Sequence, residues 1–498
     1  MNITKDDDVM ESERNIQLPE KYYRDYAFYI EKEVDPDYQH ASIEAYEAFR
    51  DMKFGVRIHF GLYSIKEWRG ESWPLLNQIY RKRQAYQEMY KRWNPAGFDA
   101  EEWMQFFERS GFKCFAFTTK HHEGFSMYDT KTRVTRRINW VAKDCPAIEE
   151  CNVAYSIMET PFKRDIVKEL CDAGRVHGMK IDLYFSHPDW YDADFRPYSC
   201  FPALTPAALK DMRRFDARPS KIFTKRPILP DPDAEASARM MARHRNQLVE
   251  IISTYKPDMC CLDNRLGPDN WPRVKETIKM LRKIHPDVMF RNRGIANYGD
   301  YYTPEGVVPG DPNNTNMPWM VIHPLGSSFS YEKNARKYKG AKWVIHNLVD
   351  TVAKGGNFMV GIGPGKNGTF HPEAIKQLEA VGVWLKVNGE GIYGMRQWPV
   401  AWKEESQDHH SSKKNNTTRF TMTRDGKIVN AFVLEWPGVM FTSHVLKPKE
   451  GSVITMLGYP DPLDWQLVNG NLAIQIPTAL ADYKPCDHAW CFKVEVGS

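Results

Sequence analysis

The sequence lacks several features that would settle its class at once. No run of about 18 apolar residues occurs, so no segment is written as a membrane-spanning helix. Neither sign of charge dominates. Lys+Arg 68 against Asp+Glu 64 leaves a net charge of +4, too balanced for a dedicated nucleic-acid binder. The start, MNITKDDDVMESERN, is polar and partly acidic with no apolar stretch behind it, so no signal peptide is expected. The location expected is cytoplasmic, or periplasmic or secreted if a leader has been removed. The 9 cysteines form no Cys-x-x-Cys pair, and Cys260 and Cys261 are adjacent. Most are expected to be buried free thiols, although Cys145 with Cys151 and Cys486 with Cys491 are close enough to pair in an oxidising compartment. No GxGxxG follows the first strand, and no HExxH is present. The stretch 361–367 resembles a phosphate loop, but it lacks the first glycine at the required spacing and the Ser/Thr after its lysine.

What is present is core material. Apolar residues make up 42% of 498, with 15 Trp, 24 Tyr and 25 Phe, which excludes disorder and suits a large domain with a smaller one beside it. Short apolar runs at 54–60, 112–119, 179–186, 259–263, 288–293 and 357–362 read as strands buried on both faces of a parallel sheet. Helical patterns separate them. One runs from its cap Asp99 through Arg109 to Gly111, and another from Pro161 to Gly178. Others cover 234–254, 270–284, 341–354 and 372–387. Repeated strand–helix units predict a (β/α)8-like barrel, with residues 296–340 expected as long loops.

After Gly394 the texture changes. Residues 417–446 and 451–496 alternate apolar and polar positions around Asp425-Gly426 and Asn469-Gly470 turns, which predicts a C-terminal antiparallel β-sandwich. The expected division is an N-terminal extension at 1–39, a catalytic barrel at 40–396 and the sandwich at 397–498.

In a barrel, chemistry sits at the C-terminal ends of strands. Those ends offer His59, His121 with His122, Tyr184, Asp263 and Arg293. Glu305, in a loop after the fifth strand, would give the rim a second carboxylate. Two carboxylates suit glycoside hydrolysis, one attacking or assisting at the anomeric carbon and one protonating the leaving oxygen. Each residue has a plainer reading. A strand-end His or Tyr is often a satisfied core group, and Thr303-Pro304-Glu305 is an ordinary helix start. A metal site at His121-His122 is disfavoured because adjacent strand residues point to opposite faces.

Several segments together resemble the α-L-fucosidases of glycoside hydrolase family 29. They are 54–64 (FGVRIHFGLYS), 120–125 (KHHEGF), 355–364 and 388–394 (NGEGIYG). The resemblance implies a distorted barrel with a β-sandwich, retaining exo-hydrolysis of terminal α-L-fucose, no cofactor, and a fucosylated oligosaccharide or glycoconjugate as partner. A homo-oligomer is compatible with it. It places the nucleophile at Asp263, the acid/base at Glu305, and sugar contacts at His59, Trp73, His121, His122, Tyr184 and Arg293. Either Glu71 or Ser72 would fill the acidic position beside Trp73. For this chemistry Glu305 has to hold its proton near neutral pH, and Asp263 has to stay ionised, with Arg293 as partner. Departures at Phe60, Glu123, Cys261 and Phe329 touch the sugar pocket. Cys261 and Phe329 stand where larger aromatics are usual, so a wider pocket with weaker rejection of α-L-galactosides is expected. The alternatives are an α-L-galactosidase or related glycosidase on the same barrel, and a carbohydrate-binding protein that has lost catalysis.

Overall fold

The computed structural model describes residues 30–31, 33–143, 147–195, 233–263, 266, 268–305, 317–405 and 417–497. Parallel strands β1 (Phe54–Ile58), β2 (Cys114–Lys120), β5 (Lys180–Ser186), β6 (Met259–Asp263), β7 (Met289–Phe290), β8 (Met320–Pro324) and β9 (Asn357–Ile362) form one curled sheet. Its order is β7-β6-β5-β2-β1-β9-β8. Single bridges at Arg291–Tyr301, Tyr302–Trp319 and Glu305–Ile322 lay the segment 301–305 between β7 and β8. That segment completes the ring as a strand reduced to isolated contacts. The stretch 296–340, expected as loops, therefore contributes this closure and β8.

The helices lie where their signals put them, with one correction. Asp99 accepts from the Glu102 amide and caps helix Ala100–Arg109. The helix expected from Pro161 instead starts at Ile166, because Asp165 accepts from the Lys168 amide and supplies the cap. The sequence reading also missed an antiparallel hairpin between β2 and β5, formed by β3 (Val134–Asn139) and β4 (Ala147–Val153).

Strand alternation sorts the barrel residues into two cores. Phe54, Val56, Ile58, Ile181, Leu183, Cys260, Leu262 and Phe290 join the large core between strands and helices. Cys114, Ala116, Met259, Met289, Met320 and Met359 line the barrel interior, closed from below by Tyr46, Phe49 and Met52 of helix Ile43–Met52. Inward positions further along each strand rise toward the C-terminal rim.

The C-terminal part is a two-layer sandwich. One sheet orders β10 (Arg396–Gln397), β12 (Thr417–Met422), β13 (Ile428–Val433), β18 (Trp490–Glu495) and β15 (Thr455–Met456), with β11 (Lys403–Glu405) on β12. The other orders β14 (Met440–Ser443), β17 (Asn471–Gln475) and β16 (Trp465–Val468). Phe420, Val429, Phe441, Leu472, Ile474 and Phe492 fill the space between them. The two expected turns do connect hairpin strands. Cys486 and Cys491 are free thiols rather than a disulfide, as is Cys151. Cys145 and most of the polar stretch at 406–418 lie outside the described residues. Among the described residues, no helix is long and apolar enough to cross a membrane.

Candidate active site

Every sequence-predicted site residue lies in one contiguous cluster at the C-terminal rim of the barrel. Asp263 ends β6 and is 3% exposed. Its Oδ2 accepts from the Tyr184 hydroxyl at 2.7 Å, and His122 Nε2 stands 3.7 Å from the same oxygen. Arg293 Nε lies 3.2 Å from Oδ1. Arg293 also reaches Glu305, with Nη1 donating to Oε1 at 2.7 Å. One guanidinium therefore spans both carboxylates.

The histidines do not behave as strand neighbours. They follow the end of β2, in a turn that Gly124 makes at φ 87°, so the alternation rule does not reach them. Their ring centroids are 4.4 Å apart. His121 Nδ1 meets Ser72 Oγ at 2.5 Å, and His122 Nδ1 meets Ser186 Oγ at 2.6 Å. The Trp73 and Trp190 rings close on His122 at 4.8 and 5.4 Å. His59 stacks on Phe329 with centroids 5.2 Å apart. It is buried, and its Nδ1 has no hydrogen-bond partner among the described residues. Burial, then Arg57 and the neighbouring histidines, hold it well below the ordinary histidine value. The result is a neutral ring with an unsatisfied polar atom, as a hydroxyl-bearing ligand requires. Among the described residues, no group of three or more His, Cys, Asp or Glu side chains is placed to hold a metal ion.

Glu305 departs from expectation in two ways. It sits on an extended bridge opposite Ile322, where a loop after the fifth strand is expected. Its side chain is 43% exposed; loss of part of its hydration acts to raise its pKa, but Arg293 and Arg291 outweigh that and hold the carboxyl well below the ordinary glutamate value. Arg291 Nη2 donates to the same Oε1 at 3.1 Å. The two arginines thus favour the ionised form of Glu305. Glu71 is the opposite case. It is buried, accepts from the Ser330 amide at 3.0 Å, and burial raises its pKa, with Glu305 adding to the rise.

The two positions behind the wider-pocket expectation are both packed: Phe329 stacks on His59. Cys261 is fully buried, and its Sγ accepts from Arg291 Nη1 at 2.9 Å. The guanidinium packs directly against this smaller side chain. Arg291 and Ser186 are site neighbours to which sequence reading gave no role. Arg291 had one available signal, since it lies two residues before Arg293 and shares its strand face.

A family model described as Alpha-L-fucosidase matches residues 30–390, and one described as Alpha-L-fucosidase C-terminal domain matches 411–495. The chain belongs to the α-L-fucosidase family. Within that family it is 26% identical to human tissue α-L-fucosidase over 512 residues, covering 97% of this chain and 94% of the relative. The α-L-fucosidase of Dictyostelium discoideum is 26% identical, with 79% of each chain covered. The fold is shared with α-L-fucosidase isoenzyme 1 from Paenibacillus thiaminolyticus, at TM-score 0.70 and 24% identity over 91% of this chain and 99% of that one. It is also shared with a Bacteroides thetaiotaomicron α-L-fucosidase trapped as a covalent intermediate, at TM-score 0.70 and 21% identity over 97% of this chain and 100% of the other.

Proposed function

We propose that this chain is a retaining exo-glycosidase that removes terminal α-L-fucose from glycans or glycosides. The observation that carries the reading is the arginine-bridged pair Asp263–Arg293–Glu305 at the barrel mouth, ringed by His59, His121, His122, Tyr184 and Trp73 and set in a chain of this family. Asp263 attacks the anomeric carbon and forms a glycosyl ester as the aglycone oxygen leaves. Arg293 and the Tyr184 hydroxyl hold its carboxylate in place. Water then attacks the ester, and Asp263 is released. The histidines, Trp73 and Arg293 bind the sugar hydroxyls.

Glu305 is the proposed acid/base. Its ionised form suits the second step, where it takes a proton from water. For the first step, substrate entry has to loosen its arginine contacts and exclude water, which raises its affinity for a proton. A second reading rests on one observation: Glu71 is the rim carboxyl whose proton is already favoured by burial, which makes it a source of the first proton. The domain reading accompanies the functional one: an extension at 1–39, a catalytic barrel at 40–396 and a sandwich at 397–498. Hydrolysis of an aryl α-L-fucoside followed by proton NMR tests the reading. The α-anomer of fucose should appear first, whereas no hydrolysis or initial β-anomer would overturn it.

A further inference from the structure

Below the rim, the barrel interior changes character. Barrels of this type fill their middle layers with branched apolar side chains. Here the inward position two residues before His59 is Arg57, the one before Tyr184 is Asp182, and the one before Arg293 is Arg291. All three are nearly inaccessible, at 4%, 2% and 1% exposure. Ala116 pairs with Arg57 on one side and with Asp182 on the other, so these two charges lie at one level of the ring. Cys261, two residues before Asp263, joins them through its bond to Arg291. Burying three charges in a barrel core is costly, and this layer touches the rim at two points.

Arg57 is the first. Its guanidinium carbon lies 4.7 Å from the centroid of the Tyr184 ring, and the Tyr184 hydroxyl donates to Asp263. Arg291 is the second, donating to Cys261 of the neighbouring strand and to Glu305. Asp263, through one aromatic ring, and Glu305, directly, thus each rest on a buried arginine.

We infer that Arg57, Asp182 and Arg291 form a charged middle layer that positions the two rim carboxylates from below, with Arg57 and Arg291 as positioning residues for Asp263 and Glu305. This rests on the hydrolase reading above. Asp182 is the counter-charge that keeps two guanidinium groups in one apolar shell. Burial raises its carboxyl to about 6, against the pull of Arg57 and Arg291. The groups facing each carboxylate are defined. Asp263 meets Tyr184, His122 and Arg293. Glu305 meets Arg291 and Arg293, and Asp182 meets Arg57, Arg291 and the Tyr301 phenol. Removing Arg57 takes away positive charge, so the carboxyls above and beside it must gain proton affinity.

The test compares wild type with Arg57→Met, Arg57→Lys and Arg291→Met. Melting temperatures establish which variants fold. Arg57→Met should lower kcat/KM for an aryl α-L-fucoside by about 10-fold or more and move the acidic limb of its pH profile upward by about one unit. Arg57→Lys should restore most of both. An infrared titration of the carboxyl band, which needs no turnover, should show extra protonated carboxyl in Arg57→Met above pH 6. Arg291→Met should shift the same band, which covers the case in which Arg57→Met fails to fold. A folded Arg57→Met or Arg291→Met with the wild-type acidic limb and the wild-type band would overturn the inference. If wild type does not hydrolyse the fucoside, the hydrolase reading fails, and the infrared shift still decides whether the layer sets carboxyl ionisation.

Discussion

The barrel and the sandwich are both built from strands with alternating inward and outward positions, yet they fill their interiors with different chemistry. Between the sandwich sheets lie Phe420, Val429, Phe441, Leu472, Ile474 and Phe492, a shell whose only task is burial. Inside the barrel, apolar methionines at the base give way to Arg57, Asp182 and Arg291, and then to Asp263, Arg293 and Glu305 at the rim. Buried charge costs stability unless it is paired. A fold that carries so much of it at one end of one domain is using it for something other than holding together. Substitution in the barrel rim should therefore act on turnover, and substitution in the sandwich on stability.

The largest effect expected is at Asp263. Asp263→Gly should reduce turnover of an aryl α-L-fucoside by about 10^3-fold or more with little change in melting temperature. Added azide should partly restore turnover by attacking from the vacated face, giving the β-fucosyl azide. Near-normal activity would break the contrast at its centre. Next comes Glu305→Ala, expected to cost about 10^2- to 10^4-fold on natural oligosaccharides, which need a proton on the leaving oxygen, and much less on aryl fucosides. If Glu71→Gln shows that leaving-group pattern instead, the first proton belongs to Glu71.

On the stability side, Phe420→Ala should lower folding free energy by about 3–5 kcal/mol and leave kcat of the folded fraction unchanged. A change in kcat would mean that the sandwich takes part in the site. A structural carboxylate sharpens the comparison further. Asp300 is buried and accepts from Arg282 Nη2 at 2.6 Å and from the Phe290 amide at 2.7 Å. Burial acts to raise its pKa, but Arg282 and His40 hold it well below the ordinary aspartate value. A depressed folded-state pKa means that its stabilisation is present above the unfolded value, near pH 4, and is lost as pH falls through the folded one. Asp300→Asn should cost about 3–5 kcal/mol at neutral pH and flatten the acid limb of the stability curve. An unchanged acid limb would show that Asp300 is not the group responsible.

The smallest effect concerns the sugar. Fucose and L-galactose differ by a hydroxyl at C6, and an apolar pocket separates such pairs by about 1–3 kcal/mol. Because Arg291 occupies the space beside Cys261, Cys261→Trp should lower kcat/KM for α-L-fucoside and α-L-galactoside alike and leave their ratio unchanged. A ratio that rises sharply would restore the wider-pocket expectation.

Much of this contrast was written in the sequence. Residues 54–60, 179–186 and 259–263 are short, mainly apolar runs with His59, Tyr184 and Asp263 on the inward face near their C-terminal ends, and that placement puts the three on one rim. The sandwich hairpins were equally plain, because Asp425-Gly426 and Asn469-Gly470 mark turns between alternating strands. Closure of the barrel was hidden, since 301–305 joins its neighbours through single bridges and its short Tyr-Tyr-Thr run is cut off by Pro304. The β3–β4 hairpin was hidden for a related reason: its strands are largely polar and sit partly exposed. That Glu305 favours its ionised form could not be read at all, because Arg291 and Arg293 reach it from a strand that pairs beside it only in three dimensions. The charged layer, by contrast, could have been read. Arg57, Asp182 and Arg291 each precede a rim residue by two positions, in phase with the inward face.

The proposal that Asp263 is the nucleophile of a retaining hydrolase has one direct measurement. The protein is inactivated with 2-fluoro-fucosyl fluoride, digested, and its peptides are sequenced by mass spectrometry. A fluorofucosyl adduct on Asp263, absent from Asp263→Gly, is the predicted result. An adduct on another carboxylate, or turnover abolished by Asp263→Gly with no adduct formed on wild type, would contradict it.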